Sequence, residues 1–364
     1  MLCKRMQRRL TIRDIARIAG VSASTVSRSL NDSPLVAEST KARVREIADE
    51  GNFSFNHTAR SLVLRRTGNL GLICPDSFDE YQYSLHLTLL INTIRRLAEQ
   101  ADLDLIVKFR FDAQDRNSIS HLLTSRKVDA LIVITPDITP DEVRLIRGNG
   151  IPYVFVQAIP PSIDLSDENY VFADHVAGGV IATDHLIRLG HKRILCFSVD
   201  THERSFAERS EGYKTALGQY NLPLDNDLLV VGDGTFAFGY EYVVRNAHLF
   251  RDGGITALFS QTDIMALGAI EGLWDINLTV PQDVAVVSYD DIGFGKDFRP
   301  RLTTVHQPRD RLAVAACNRL IELLDGEETA TESPLLQDRV QPYLVVRESC
   351  GAEASSVHRR PPKA

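Results

Sequence analysis

The 364-residue chain lacks the marks of several large protein classes. Its five cysteines, Cys3, Cys74, Cys196, Cys317 and Cys350, are odd in number, scattered, and contain no C-x-x-C pair. That pattern excludes a disulfide framework and a structural zinc, and predicts reduced thiols. Cys74 and Cys196 fall in apolar runs, where a thiol behaves as a small hydrophobe. No apolar run approaches the roughly 18 residues that a membrane span needs, so no membrane partner is expected. The basic stretch before Thr11 leads into no signal-peptide core, and the expected compartment is the cytoplasm. Also missing are a P-loop, a G-x-S-x-G elbow and a G-x-G-x-x-G turn. His185 and His191 do not have the i, i+4 spacing of a helical metal pair. Asp290 and Asp291 are adjacent at a strand end, so they point opposite ways and make no acid pair. The sequence therefore assigns no catalytic residue, no metal and no cofactor.

What the sequence does hold is a soluble globular balance, 44% apolar and 24% charged. At roughly 150 residues per domain, that length predicts two or three units. The net charge of −7 hides an asymmetry. Residues 1–66 carry 13 Lys and Arg against 6 Asp and Glu, a balance of +7, which leaves −14 on the remainder. A basic head on an acidic body suits one small module that meets phosphate while the rest does something else.

The head reads as a helix-turn-helix. Ile12, Ile15, Ala16 and Ala19 recur at helical spacing, and Thr11 with Asp14 forms a capping-box start. Gly20 can take the positive φ that ends the helix, and Val21 tucks between helices. Ser22 caps a second helix with Val26 and Leu30 inward. A third helix fits Glu38–Glu50, with Val44, Ile47 and Ala48 inward. Ala23, Ser24, Ser27 and Arg28 leave the outer face of the second helix flat enough for a major groove, with hydroxyls for phosphates and an arginine for guanine. Beyond Gly68 short apolar runs alternate with amphipathic helices. The runs are 70–74, 105–107, 130–134 and 153–156, then 194–197, 228–231, 257–259 and 284–287. This alternation predicts an α/β body of doubly wound parallel sheets, with ligands at the carboxyl ends of the strands. Leu87, Leu90, Ile91 and Ile94 share one helical face, which fits either a dimer interface or the core.

The run from Thr11 to Arg28, TIRDIARIAGVSASTVSR, resembles the N-terminal signature of the LacI/GalR family of bacterial transcription regulators. Asn56 to Leu62 is similar to that family's hinge, and the body resembles periplasmic sugar-binding proteins. The body motifs are Asp184–His191, Arg209–Tyr213, Asp263–Gly268, Val286–Asp291 and Leu302–Pro308. The resemblance implies a helix-turn-helix head at 9–55, a hinge at 56–68, a two-lobed body at 69–349 and a polar tail at 350–364. The first lobe is expected at about 69–173 and 308–328, the second at about 174–304 and 335–349. It implies DNA contacts from Thr11, Ser22, Ala23, Ser24, Thr25, Ser27, Arg28 and Asn31, and from Asn56, Ala59, Arg60 and Leu62 in the hinge, with Leu62 as a minor-groove wedge. It also implies that Asp174, Arg209, Thr262, Asp263 and Asp290 hold a small effector, a sugar or sugar derivative. A homodimeric repressor on a palindromic operator follows, and the tail's lack of heptads favours a dimer over a tetramer. The alternative is a sugar-binding or sugar-processing protein whose head is vestigial or fused. This chain departs from the family pattern at Ala37, where a capping serine is usual, at Phe55, where proline is usual, and at Ser288, where glycine is usual.

Overall fold

The computed structural model describes residues 10–30, 33–51, 53, 66–75, 81–110, 117–200, 203–252, 254–326 and 334–352. The chain divides into a head, Met1–Thr67, and a body, Gly68–Ala364. In the head, α1 (Ile12–Ala19), α2 (Ala23–Leu30) and α3 (Glu38–Glu50) surround a core of Ile15, Ala16, Ala19, Val26, Val44 and Ala48. Thr11 and Asp14 close both arms of the capping box at the start of α1, and Gly20 ends that helix in the left-handed region at φ 69°. At α3 the cap position is vacant: Ala37 has an extended backbone but no side-chain oxygen to offer.

The body holds two six-stranded sheets. The first has the order β11-β5-β4-β3-β1-β2, from β1 (Asn69–Pro75), β2 (Asp104–Arg110), β3 (Ala130–Val133), β4 (Tyr153–Val156), β5 (Tyr170–Ala173) and β11 (Gln337–Val340). The second has the order β12-β10-β9-β8-β6-β7, from β6 (Ile194–Val199), β7 (Leu229–Gly232), β8 (Ala257–Ser260), β9 (Ala285–Asp290), β10 (Thr303–His306) and β12 (Tyr343–Val345). All pairings are parallel except β10 with β12. The central strands are buried along their whole length because helices cover both faces, which is why they read as unbroken apolar runs rather than alternating ones.

One expectation changes here, and one open alternative resolves to the core. Residues 337–340, expected in the second lobe, pair in parallel with Tyr170–Ala173 and so belong to the first. The final crossing lies between Val340 and Tyr343, which makes three crossings with those after Ala173 and after His306. The face of Leu87, Leu90 and Ile94 on α4 (Tyr81–Gln100) is not an interface stripe. It packs into the first core against Leu312, Ala316 and Leu320 of α12 (Arg309–Asp325), with Ile91 beside it.

No helix among the described residues is long and apolar enough to cross a membrane. The four described cysteines, Cys74, Cys196, Cys317 and Cys350, are buried, and none of them is in a disulfide. Burial pushes the thiols of Cys74, Cys196 and Cys317 up to about 12, which makes them inert.

Candidate functional site

Two regions carry the expected chemistry. On the head, Ser22, Ala23, Ser24 and Arg28 are exposed, while Thr25 and Ser27 are half-buried. The Ser22 hydroxyl accepts from the Thr25 backbone N–H at 3.0 Å, which starts α2. It also meets the hydroxyls of Ser24 and Thr25 at 2.7 and 2.8 Å. This cluster of small polar groups sits at a helix N-terminus, where backbone N–H groups suit a phosphate. Thr11 is exposed, with its side chain engaged in the α1 cap. Asn31, Asn56, Ala59, Arg60 and Leu62 lie outside the described residues.

In the body, α7 (His175–Arg188) and α8 (Arg204–Gln219) cross in glycine contact. A Cβ on Gly179 would lie 2.3 Å from the Arg209 carbonyl, and one on Gly212 would lie 2.2 Å from the Val176 carbonyl. That close approach brings the first residue of α7, His175, against Arg209 on α8. The Arg209 guanidinium lies over the ring of Tyr289 at 3.9 Å and over Phe206 at 4.7 Å. It donates to the Gln261 carbonyl at 2.5 Å and pairs with Asp290 at 3.5 Å. Arg209 and Asp290 are therefore brought together, both buried, as the sequence implied.

Asp290 ends β9 at φ 118°, followed by Asp291 at φ 54°, two successive non-glycine residues in strained backbone. Arg309 holds this turn, donating to the Asp290 carbonyl at 2.6 Å and to the Asp291 carbonyl at 3.2 Å. The side chains diverge. Asp290 accepts from Gln307 at 2.7 Å, and Gln307 in turn accepts from Gln157 of the first lobe at 2.8 Å. Asp291 instead meets His306 at 2.8 Å and Arg347 at 2.5 Å. Burial opposes ionisation of Asp291, but those two partners hold its carboxyl down at about 2.

The remaining expected positions are occupied. Asp174 caps α7, accepting from the Ala177 N–H at 2.9 Å, and its other oxygen accepts from Gln341 at 2.7 Å. Thr262 caps α11 (Asp263–Asp275) by accepting from the Met265 N–H. Asp263 is fully buried, and its carboxylate accepts from the Ser288 hydroxyl, from the Thr304 hydroxyl at 2.6 Å and from the Ile292 N–H at 2.8 Å. The expected effector contact at Asp263 thus meets a carboxylate already engaged by three donors, one of them the serine that stands in place of the family's glycine. Burial, and then the neighbouring Asp290 charge, push Asp263 up to about 7. Burial also raises Asp290, against the pull of Arg209 and Gln307.

The sequence did not single out His86, Gln157, His175, Gln307 or Arg309. They come from distant stretches, and only Gln307 falls in a quoted motif. Arg309 meets His86 Nδ1 at 3.1 Å, so an α4 side chain joins the network. Arg339 on β11 and Glu208 on α8 add a two-pronged ion pair at 2.8 and 3.2 Å. Guanidinium, amide and carboxylate groups converge here between the two sheets and offer directional donors and acceptors to a small polar molecule. Among the described residues no three His, Cys, Asp or Glu side chains gather as a metal site.

Known proteins resemble the chain along nearly its whole length. Residues 11–56 match the model of the bacterial regulatory proteins of the lacI family, and residues 183–350 match the periplasmic binding protein-like domain. The HTH-type transcriptional repressor PurR of Actinobacillus pleuropneumoniae serotype 3 (strain JL03) is 32% identical over 339 residues, 93% of this chain and 98% of its own length. The probable repressor ExuR of Bacillus subtilis (strain 168) is 30% identical, over 90% of this chain and 95% of its own length. Among solved structures, the complex of the regulator CelR with cellobiose superposes with a TM-score of 0.65 at 25% identity, covering 94% of this chain and all of that one. The lac repressor dimer bound to operator and an anti-inducer shares the fold, with a TM-score of 0.76 at 24% identity over 95% of this chain and all of that one. With this head, this body and these relatives, the chain belongs to the LacI family of bacterial regulatory proteins.

Proposed function

We propose that the protein is a sequence-specific transcriptional repressor that binds a palindromic operator as a dimer and releases or grips it according to a small effector held between the body's two lobes. The observation that carries this reading is the exposed polar face of α2, from Ser22 to Arg28, on a head whose sequence is strongly basic. Relatives named as repressors support the direction of control. Dimer formation has support in an apolar patch on the second lobe. There Trp274 stacks on Phe298 at 5.7 Å, and Phe294 is 58% exposed.

A sugar or sugar derivative fits the site better than a stacked flat base. Phe206 and Tyr289, the rings that border Arg209, are both covered by its guanidinium, while the buried amide oxygen of Gln157, without a partner among the described residues, can accept from a hydroxyl. The cellobiose of the CelR complex is in line with that class. The relatives named PurR keep a purine in the test set.

The test is operator binding against salt, with and without candidate effectors. Binding by the full chain weakens steeply as salt rises, since phosphate neutralisation releases counterions. A chain lacking residues 1–66 loses DNA binding, and equal binding by that chain would remove the head from the account. Product formation from any compound that binds would favour the enzymatic alternative.

A further inference from the structure

At the seam between the lobes two buried imidazoles, His86 and His175, carry an Nε2 with no hydrogen-bond partner among the described residues, and of the two it is His175 that lies beside Arg209. His175 is fully buried, and its Nδ1 lies 3.1 Å from the Tyr289 hydroxyl and 3.5 Å from Arg209 Nε. A guanidinium only donates, so Nδ1 is the unprotonated, accepting nitrogen. Burial, and then the Arg209 charge, hold the imidazole well below its ordinary range, which keeps the ring neutral. The single ring proton therefore sits on Nε2, and Nε2 has no hydrogen-bond partner among the described residues. Arg339, of the first lobe, adds to the electrostatic pressure on the ring, as it does only where the lobes meet.

A buried donor left without a partner is destabilising, and a native structure retains one where something else completes it. We propose that His175 is a specificity-determining residue of the effector site, whose Nε2–H donates to an acceptor oxygen or nitrogen of the bound molecule. This rests on the reading of the interlobe cleft as the effector site. The ring is locked in one tautomer, so it can give but not accept at this point. It selects effectors that present a carbonyl, carboxylate, ether or hydroxyl oxygen, or an unprotonated ring nitrogen, and rejects those that present a donor or an apolar edge. A site built around one hydrogen bond discriminates strongly, because an analogue without the matching atom leaves the protein group unpaired.

The experiment has two arms on the full-length chain. The first is nitrogen-15 NMR of histidine-labelled protein, with His175 identified by loss of its signal in His175→Gln. The expected result is the Nε2–H tautomer with no protonation between pH 8 and pH 5.5. The Nδ1–H tautomer, or a titration in that window, overturns the proposal. The second arm uses D-glucose, cellobiose, D-ribose, D-glucuronate and hypoxanthine as probes in thermal-shift titrations. The probe that stabilises the parent binds at least tenfold more weakly to His175→Ala and within threefold of the parent to His175→Gln, whose amide N–H restores a donor. The ratio of parent to His175→Ala affinity stays level from pH 5.5 to 8, since the His175 ring does not change charge there, whereas Asp263 titrates near 7 in both proteins. Equal affinity in His175→Ala, or no stabilisation by any of the five, overturns the proposal. Probe-free operator binding is measured on the same variants and is expected to match the parent. Failure at His175 with intact operator binding is therefore distinct from failure of the repressor reading.

Discussion

Arg339 and Glu208 stand on different lobes and grip each other with two hydrogen bonds, Nη1 to Oε2 at 2.8 Å and Nη2 to Oε1 at 3.2 Å. Glu208 precedes Arg209 on the same helix, so this pair fastens the first sheet one residue away from the proposed effector contact. The Arg339 side chain is 36% exposed, and solvent screening limits what the pair adds to stability. Arg339→Ala is expected to lower stability by about 1 kcal/mol or less. Its larger effect falls on the effector response, because the lobes lose a tie. The double variant R339E/E208R restores both properties, and a double-mutant cycle on melting temperature and effector affinity checks this. Additive losses in the double variant would mean the two residues act separately.

Substitutions at Arg209 and Asp290 are expected to separate sensing from DNA binding. Arg209→Ala or Asp290→Asn leaves a buried charge without its counter-ion, with an expected stability loss of about 3–5 kcal/mol. Effector affinity falls by roughly five- to 150-fold, corresponding to about 1–3 kcal/mol for a lost hydrogen bond. Operator affinity without effector stays near the parent value, measured below the variant's melting range. In cells such a variant would no longer respond to the effector. A parallel loss of operator binding in the folded variant would reduce the pair to structural support.

Acid and base act on the second lobe through different carboxylates. An unfolded aspartate loses its proton near pH 4, whereas Asp263 keeps it to about 7. The contribution of Asp263 is fully present below about pH 4 and is lost as pH rises through 7. Asp291, held at about 2, contributes above about pH 4 and loses its contribution as pH falls through 2. Melting temperatures from pH 4 to 8 should therefore fall more steeply for the parent than for Asp263→Asn. Parallel curves for the two proteins would refute the assignment.

The vacant cap of α3 offers a stabilising change. Ala37 already has the extended backbone of a cap at φ −61° and ψ 142°. Ala37→Ser is expected to stabilise the head by about 0.5–1 kcal/mol, read by denaturant unfolding of the head's signal, with operator specificity unchanged. A loss of stability would show that the serine hydroxyl does not reach the first-turn N–H groups.

Arg28 is exposed on the outer face of α2. Arg28→Ala should relax base preference at one position per half-site, at a cost of roughly 1–3 kcal/mol there. Competition binding with operator and random DNA decides it. Equal loss on both would make Arg28 a phosphate contact.

The head was legible because its signals are local: the Thr11–Asp14 cap, Gly20 and the spacing of Ile15, Ala16 and Ala19 all act within a few residues. The body's strands were legible as buried runs for the same reason. The site was only half legible. Arg209 and Asp290 fell in recognisable motifs, whereas the chain of Gln157, Gln307 and Asp290 joins residues up to 150 positions apart, a distance at which no periodicity speaks. Ser288 was the visible clue at Asp263: a hydroxyl in place of glycine supplies one of the donors that occupy that carboxylate. The face of Leu87, Leu90 and Ile94 could not be sorted from sequence, since an interface and a core ask for the same side chains.

The three crossings between the lobes also govern how the protein emerges from the ribosome. The first sheet acquires its edge strand, β11, only at residues 337–340, and its covering helix α12 only at 309–325. The second sheet waits for β12 at 343–345. Neither lobe can close until nearly the whole body has been synthesised, whereas the head's three helices are complete by Glu50. Domains generally fold as units during synthesis. The DNA-reading part is therefore the first to mature, and it waits, tethered to an unfinished sensor, for about 290 further residues.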